Sequence, residues 1–157
     1  MTKRLFFAGT SILVLTLAVH LYAQTGKLYW QVWWLDIPMH YFGGIGAGFF
    51  GLWFASLLGV LPRTGDASST LWGVEIRFPQ GVPRWWSLLW TLIAVAIIGI
   101  GWEMLEVFLL AYFDKPIPFG YIEDTLKDLV MDTLGATTAW AAFHRVQWQA
   151  WLLRVAH

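Results

Sequence analysis

SLLWTLIAVAIIGIGWEMLEVFLLAYF, residues Ser87 to Phe113, decides the fold class. A helix needs about 20 mostly apolar residues to cross roughly 30 Å of hydrocarbon. This stretch exceeds that length, and its only charged groups are Glu103 and Glu106. Working outward, Ile37 to Leu61 predicts a second span and Leu5 to Ala23, behind Lys3 and Arg4, a third. Leu21-Tyr22-Ala23 also loosely suits a signal-peptide cleavage site. A last span is expected over about Ile122 to Arg145, where Leu126, Leu129, Val130, Thr133 and Leu134 keep an apolar helical pattern despite Asp124, Lys127, Asp128 and Asp132. Gly135, Ala136 and Ala139 suit close packing against neighbouring helices.

The expectation is an all-α polytopic membrane protein, with about four transmembrane helices bundled into one domain over residues 1–157. Composition agrees. Charged residues are 13% of the chain, apolar residues 58%, and mean hydropathy is +0.58; soluble domains carry roughly 25% charged residues. A formal net charge of zero without a basic block argues against nucleic acid as a partner. The absence of cysteine excludes disulfides, zinc thiolates and thiol nucleophiles.

The connections have their own character. Tyr29, Trp30, Trp33 and Trp34 form an interfacial aromatic belt, and Trp85 and Trp86 anchor the start of the Ser87–Phe113 span. The longest loop, about residues 62–86, contains the alternating stretch Val74 to Phe78, which suits a hairpin strand or a surface patch. With the N-terminus in the cytoplasm, Lys3, Arg4, Arg63, Arg77, Arg84, Arg145 and Arg154 fall inside, and only Lys27, Lys115 and Lys127 outside. That bias predicts that both termini are cytoplasmic. His144 and His157 then read as solvated residues on the cytoplasmic side.

Charge inside a bilayer costs at least about 2.5–3.5 kcal/mol per group near a helix centre, so the charges kept there point to function. Asp36 and His40 are four apart. Glu103 and Glu106 are three apart. Asp124, Asp128 and Asp132 repeat every four residues. Each spacing puts its members on one helical face. With a rise of 1.5 Å per residue, all three stripes and His20 share a layer roughly 0–15 Å below the outer surface. These carboxylates and His40 form a candidate site for a divalent cation, Mg, Mn, Ca or Zn. Asp36 and His40 double as candidate catalytic groups. Simpler roles also fit: Asp36 ahead of Pro38 as a helix cap, Glu123 and Asp124 at a helix N-terminus, His40 as a polar group between helices. The run Gly43-Gly44-Ile45-Gly46-Ala47-Gly48 has no Walker lysine and no preceding strand, so no nucleotide cofactor is expected. Gly44 and Gly48 instead let helix backbones approach.

Asp36-Ile-Pro-Met-His40-Tyr-Phe-Gly-Gly44, Trp102-Glu103-x-x-Glu106 and Asp124-Thr-x-x-Asp128-x-x-x-Asp132-Thr-x-Gly135-Ala136 together resemble the VanZ-like and YjdF-like small bacterial membrane proteins, over about residues 30–145. The resemblance implies the same motif order, a place in the bacterial inner membrane and little biochemistry beyond glycopeptide resistance in one branch. The aspartate series is also similar to metal-holding motifs of CDP-alcohol phosphotransferases and intramembrane prenyltransferases, although the Asp-Gly-x-x-Ala-Arg half of the first is missing and the second has more spans. Three functions fit the layer: a metal-assisted enzyme acting on a lipid or polyprenyl phosphate, an ion- or proton-coupled transporter or binding protein, and a purely structural polar network. Membrane lipids are the expected partners, and transport with so few spans would call for a homo-oligomer.

Overall fold

A computed structural model describes residues 2–58, 61, 68–71, 74–77 and 84–155. Five helices and one hairpin follow in order: α1 (Thr2–Thr25), α2 (Leu28–Gln31), α3 (Asp36–Leu57), β1 (Ser68–Leu71), β2 (Val74–Arg77), α4 (Arg84–Tyr112) and α5 (Tyr121–Val155). The four long helices coincide with the four expected spans. The strand expected from Val74 exists as β2, antiparallel to β1 with Ser68 opposite Arg77 and Leu71 opposite Val74; Phe78 lies outside the described residues.

Local chemistry sets the helix ends. Lys27, at φ 54°, takes the left-handed turn after α1. Pro38 sits in the first turn of α3, where its missing N–H has no intrahelical partner to lose. Leu35 holds the cap position of α3 with no side-chain cap bond, so Asp36 is not a cap but the first helical residue. At the end of α4, Asp114 turns left-handed (φ 52°) and the Lys115 N–H reaches back to the Leu110 carbonyl at 2.8 Å. Pro116 and Pro118 then prevent the helix from continuing.

α3 is the central helix, packed by α1, α4 and α5. It runs parallel to α5, since Tyr41 and Ile45 meet Gly135 and Gly48 meets Ala136 and Ala139. It runs antiparallel to α1, where Gly46 meets Gly9 and Leu13, and to α4, where Gly51 meets Thr91 and Ala94. This is the alternation that successive membrane crossings require. α1 is an integral wall of the bundle, and its Leu5 joins the core of Leu52, Ala55, Leu61 and Phe143. A second cluster, Ala47, Val95 and Ala136, lies further along.

Around these apolar clusters the burial pattern departs from a soluble domain's. Glu103, Asp128 and Asp132 are buried, as are Ser87 and Thr91. Ile97, Met104, Phe108, Leu126, Val130 and Leu134 face outward. α1 and α4 are long and apolar enough to cross a membrane by length and composition; α3, diluted by glycines, and α5, with its carboxylates, fall short on that measure. In α5 the outward positions 126, 130 and 134 are apolar while Asp128 and Asp132 point in, so average hydropathy understates the outer face. The outward hydroxyls Thr133, Thr137 and Thr138 donate to carbonyls four residues back at 2.8–2.9 Å, which satisfies them without water.

One expectation is corrected. His144 is not a solvated tail residue: it is half-buried, its Nε2 lies 2.9 Å from Ser87 Oγ, and its ring packs on Trp140 and Phe143. The reason is that α5 continues beyond residue 145 and keeps His144 against the start of α4. His157 lies outside the described residues.

A candidate polar site between α3 and α5

Where α3 and α5 cross, the backbones nearly touch. A Cβ added to Gly44 would collide with the Asp132 backbone, and one added to Gly135 with the Tyr41 carbonyl. Only glycine permits this approach, and it brings the side chains one turn away into a single cluster. His40 is the hub. Its Nε2 lies 3.7 Å from Asp36 Oδ1 and 3.7 Å from Asp128 Oδ2, and its Nδ1 lies 3.5 Å from Asp132 Oδ1. Among the described residues, Asp36, His40 and Asp128 are the group whose ligand atoms all fall within 4.8 Å of one another. The side chains of His40, Asp128 and Asp132 are 9–12% exposed and that of Asp36 is 32% exposed, so Asp36 is the member open to an incoming molecule. Gly99 of α4 closes the cluster from the other side; a Cβ there would lie 2.7 Å from Asp132 Oδ2.

The remaining expected residues sit at the same end of the bundle in different company. Glu103 is buried, and its Oε2 accepts hydrogen bonds from Thr125 Oγ1 at 2.6 Å and the Tyr121 hydroxyl at 3.1 Å. Glu106 accepts from the Trp102 indole at 3.1 Å. Asp124 is exposed. Four-residue steps drift by about 40° each around a helix of 3.6 residues per turn, so Asp124 is turned well away from Asp132.

Sequence reasoning overlooked several partners. Tyr29 of α2 pairs its hydroxyl with His20 Nδ1 at 2.7 Å, and His20 packs edge-on against Trp102. Burial pushes the Tyr29 phenol up to about 12, with the negative fields of Asp36 and Glu106 adding to the effect. The phenol therefore keeps its proton and is available as a donor. Tyr121 and Thr125 carried a legible signal, since with Asp128 and Asp132 they make an i, i+4, i+7, i+11 stripe along one face of α5. Tyr29 carried none beyond its membership of the aromatic belt, and Trp102 none beyond its place in the Trp102-Glu103-x-x-Glu106 motif.

A cavity of about 230 Å³ adjoins the cluster between α1, α3 and α4. His40 and Asp132 reach it from one side and His20 from another, while Leu13, Val95 and Ile98 make its apolar walls. The arrangement can hold a cation or a proton at its polar end and an apolar group beside it.

No curated protein and no solved structure matches the chain. Residues 5–149 match the family described as "predicted membrane protein (DUF2238)". With nearly its whole length covered, the chain belongs to this family of membrane proteins.

Proposed function

We propose that Asp36, His40 and Asp128 form a divalent-cation centre, oriented by Asp132, that serves chemistry on a lipid or polyprenyl phosphate. The observation that carries this reading is the division of labour around one imidazole. Nε2 faces two carboxylates from different helices, and Nδ1 faces a third. Histidines that bind metal through one nitrogen usually donate the other N–H to a carboxylate, which fixes the ring. Ligand atoms about 2.0–2.2 Å from a tetrahedral ion stand roughly 3.3–3.6 Å apart, so the two 3.7 Å separations from His40 Nε2 need only a small closure, and all three ligand atoms start within 4.8 Å of one another. Two carboxylates would neutralise a dication, which suits a site lined by hydrocarbon. A cation held there would polarise a phosphoryl oxygen. Asp36, the most exposed ligand, is the group suited to exchange with substrate or to act as general base.

The finer identity belongs to the same proposal. The motif order supports a VanZ-like or YjdF-like protein and with it the bacterial inner membrane, and the bias of Lys and Arg supports both termini cytoplasmic and the cluster in the outer half of the bilayer.

A second reading rests on the same geometry. Carboxylates at both ring nitrogens also suit an imidazolium, which donates from both; that arrangement serves proton-coupled transport or a structural network. Metal analysis of the purified protein separates the two. Near-stoichiometric metal that is lost in Asp128→Asn and His40→Gln and retained in Glu106→Gln is the expected outcome. Metal-free protein that stays so after incubation with divalent ions would leave the proton reading.

A further inference from the structure

We propose that the cavity between α1, α3 and α4 seats the hydrocarbon tail of an amphiphile whose anionic head lies at the His40 cluster; only the placement of the head rests on the function proposed above. The cavity has a direction. Its polar groups, His20, His40 and Asp132, belong to the end of the bundle where α1 finishes and α3 and α5 begin. The rest of its lining includes Leu13, Leu17, Ala47, Val95 and Ile98. It also has a mouth: the cavity is not fully enclosed, and Leu17 on α1 and Ile98 on α4 line it while being 45% and 40% exposed. Both helices pack on α3, and the gap between them faces hydrocarbon, the phase from which a lipid tail would enter.

Size and packing narrow the occupant. An apolar cavity of about 150 Å³ takes one benzene ring, so the 230 Å³ here takes by proportion about nine carbon atoms. That matches a segment of an alkyl chain or two isoprene units and is too small for a whole diacyl lipid. Left empty, a cavity of this size forfeits packing. Gly43 marks where room is kept on purpose. It lines the cavity, and a Cβ there would meet nothing nearer than Asp132 Oδ1 at 4.0 Å, unlike Gly44 and Gly46, whose space is taken by neighbouring helices. A helix interior favours almost any residue over glycine, and no close backbone contact demands glycine at position 43.

The test uses the purified full chain and a decyl phosphate with a photoreactive diazirine at its tail end, beside the matching decanol. Illumination is expected to label Leu13, Leu17, Val95 or Ile98, and labelling should fall at least five-fold in Gly43→Leu and in Thr16→Phe, which fill the cavity from opposite walls. Thermal melting of each variant at or above the wild-type temperature shows that the fold is kept; if one variant melts lower, the other decides. Label spread over Ile97, Phe108 and Leu126, and unchanged in the folded variant, would overturn the proposal. The head-group arm keeps the two readings apart. If both hold, the phosphate labels the cavity more strongly than the alcohol, and Asp128→Asn removes the difference. If only the cavity holds, alcohol and phosphate label it equally in wild type and Asp128→Asn. Competition by unlabelled decyl phosphate against geranyl phosphate then tells an alkyl tail from a prenyl one.

Discussion

At the residue scale, the buried polar side chains Ser87, Thr91, Glu103, Asp128 and Asp132 each face a polar partner among the described residues, and the pairings make sharp predictions. Thr125→Val removes the 2.6 Å donor to Glu103. A buried acceptor losing its donor costs about 1–3 kcal/mol, measurable as a lower melting temperature in detergent, while the metal content should be unchanged because Glu103 is outside the His40 cluster. Tyr29→Phe deletes the bond to His20 and should cost about 0.5–1.5 kcal/mol. Its pH dependence has a definite sign. The Tyr29 phenol is raised from 10.0 to about 12 in the folded protein, so its contribution is fully present below about pH 10 and lost as pH climbs through 12. The stability gap between wild type and Tyr29→Phe should therefore be flat from neutral pH to about 10 and close above it; a gap that closes near neutrality would contradict the geometry.

At the element scale, the α3–α5 crossing is what makes a site out of two stripes. Gly44 and Gly135 bring the helices into backbone contact, and Gly48 with Ala136 and Ala139 continues the seam. Any side chain at position 135 must push α3 away from α5. Overpacking of this kind typically costs 1–3 kcal/mol or somewhat more, at about the upper end where backbone is the obstacle. Gly135→Val should lower stability and, by separating His40 from Asp128 and Asp132, abolish the proposed cation binding even though every candidate ligand remains. Ala142→Val, on the exposed side of the same helix, should change neither by more than about 0.5 kcal/mol. Equal losses in the two variants would mean that the seam does not position the cluster.

At the scale of the whole molecule, the bundle encloses a polar cluster beside its hydrophobic core and presents an apolar outer face, and the direction of its crossings is directly testable. The chain contains no cysteine, so one introduced thiol is a unique reporter. Lys27→Cys and Lys115→Cys should react with a membrane-impermeant maleimide on intact spheroplasts. Lys3→Cys and Arg145→Cys should react only after the membrane is opened. The opposite pattern would invert the protein and put the His40 cluster in the cytoplasmic half of the bilayer.

The sequence by itself determined the number and approximate limits of the four long helices, because hydrocarbon thickness sets a minimum length that four stretches visibly meet or approach. It also determined which residues share a helical face, since spacings of three and four are a property of one helix alone. Reading Gly44, Gly48, Gly135 and Ala136 as packing residues was within reach for the same reason: small side chains signal close approach whatever the partner. What it could not supply was the pairing of faces between helices. Spacing within α3, α4 and α5 is equally compatible with one pool of seven ionisable groups and with the observed division, in which His40 gathers Asp36, Asp128 and Asp132 while Glu103 turns to Tyr121 and Thr125 and Glu106 to Trp102. That division depends on the rotation of each helix about its axis and on how near two backbones can come. Both are fixed only when all four helices pack together, because the contact that decides them, Gly44 against Asp132 and Gly135 against Tyr41, joins residues about ninety positions apart in the chain.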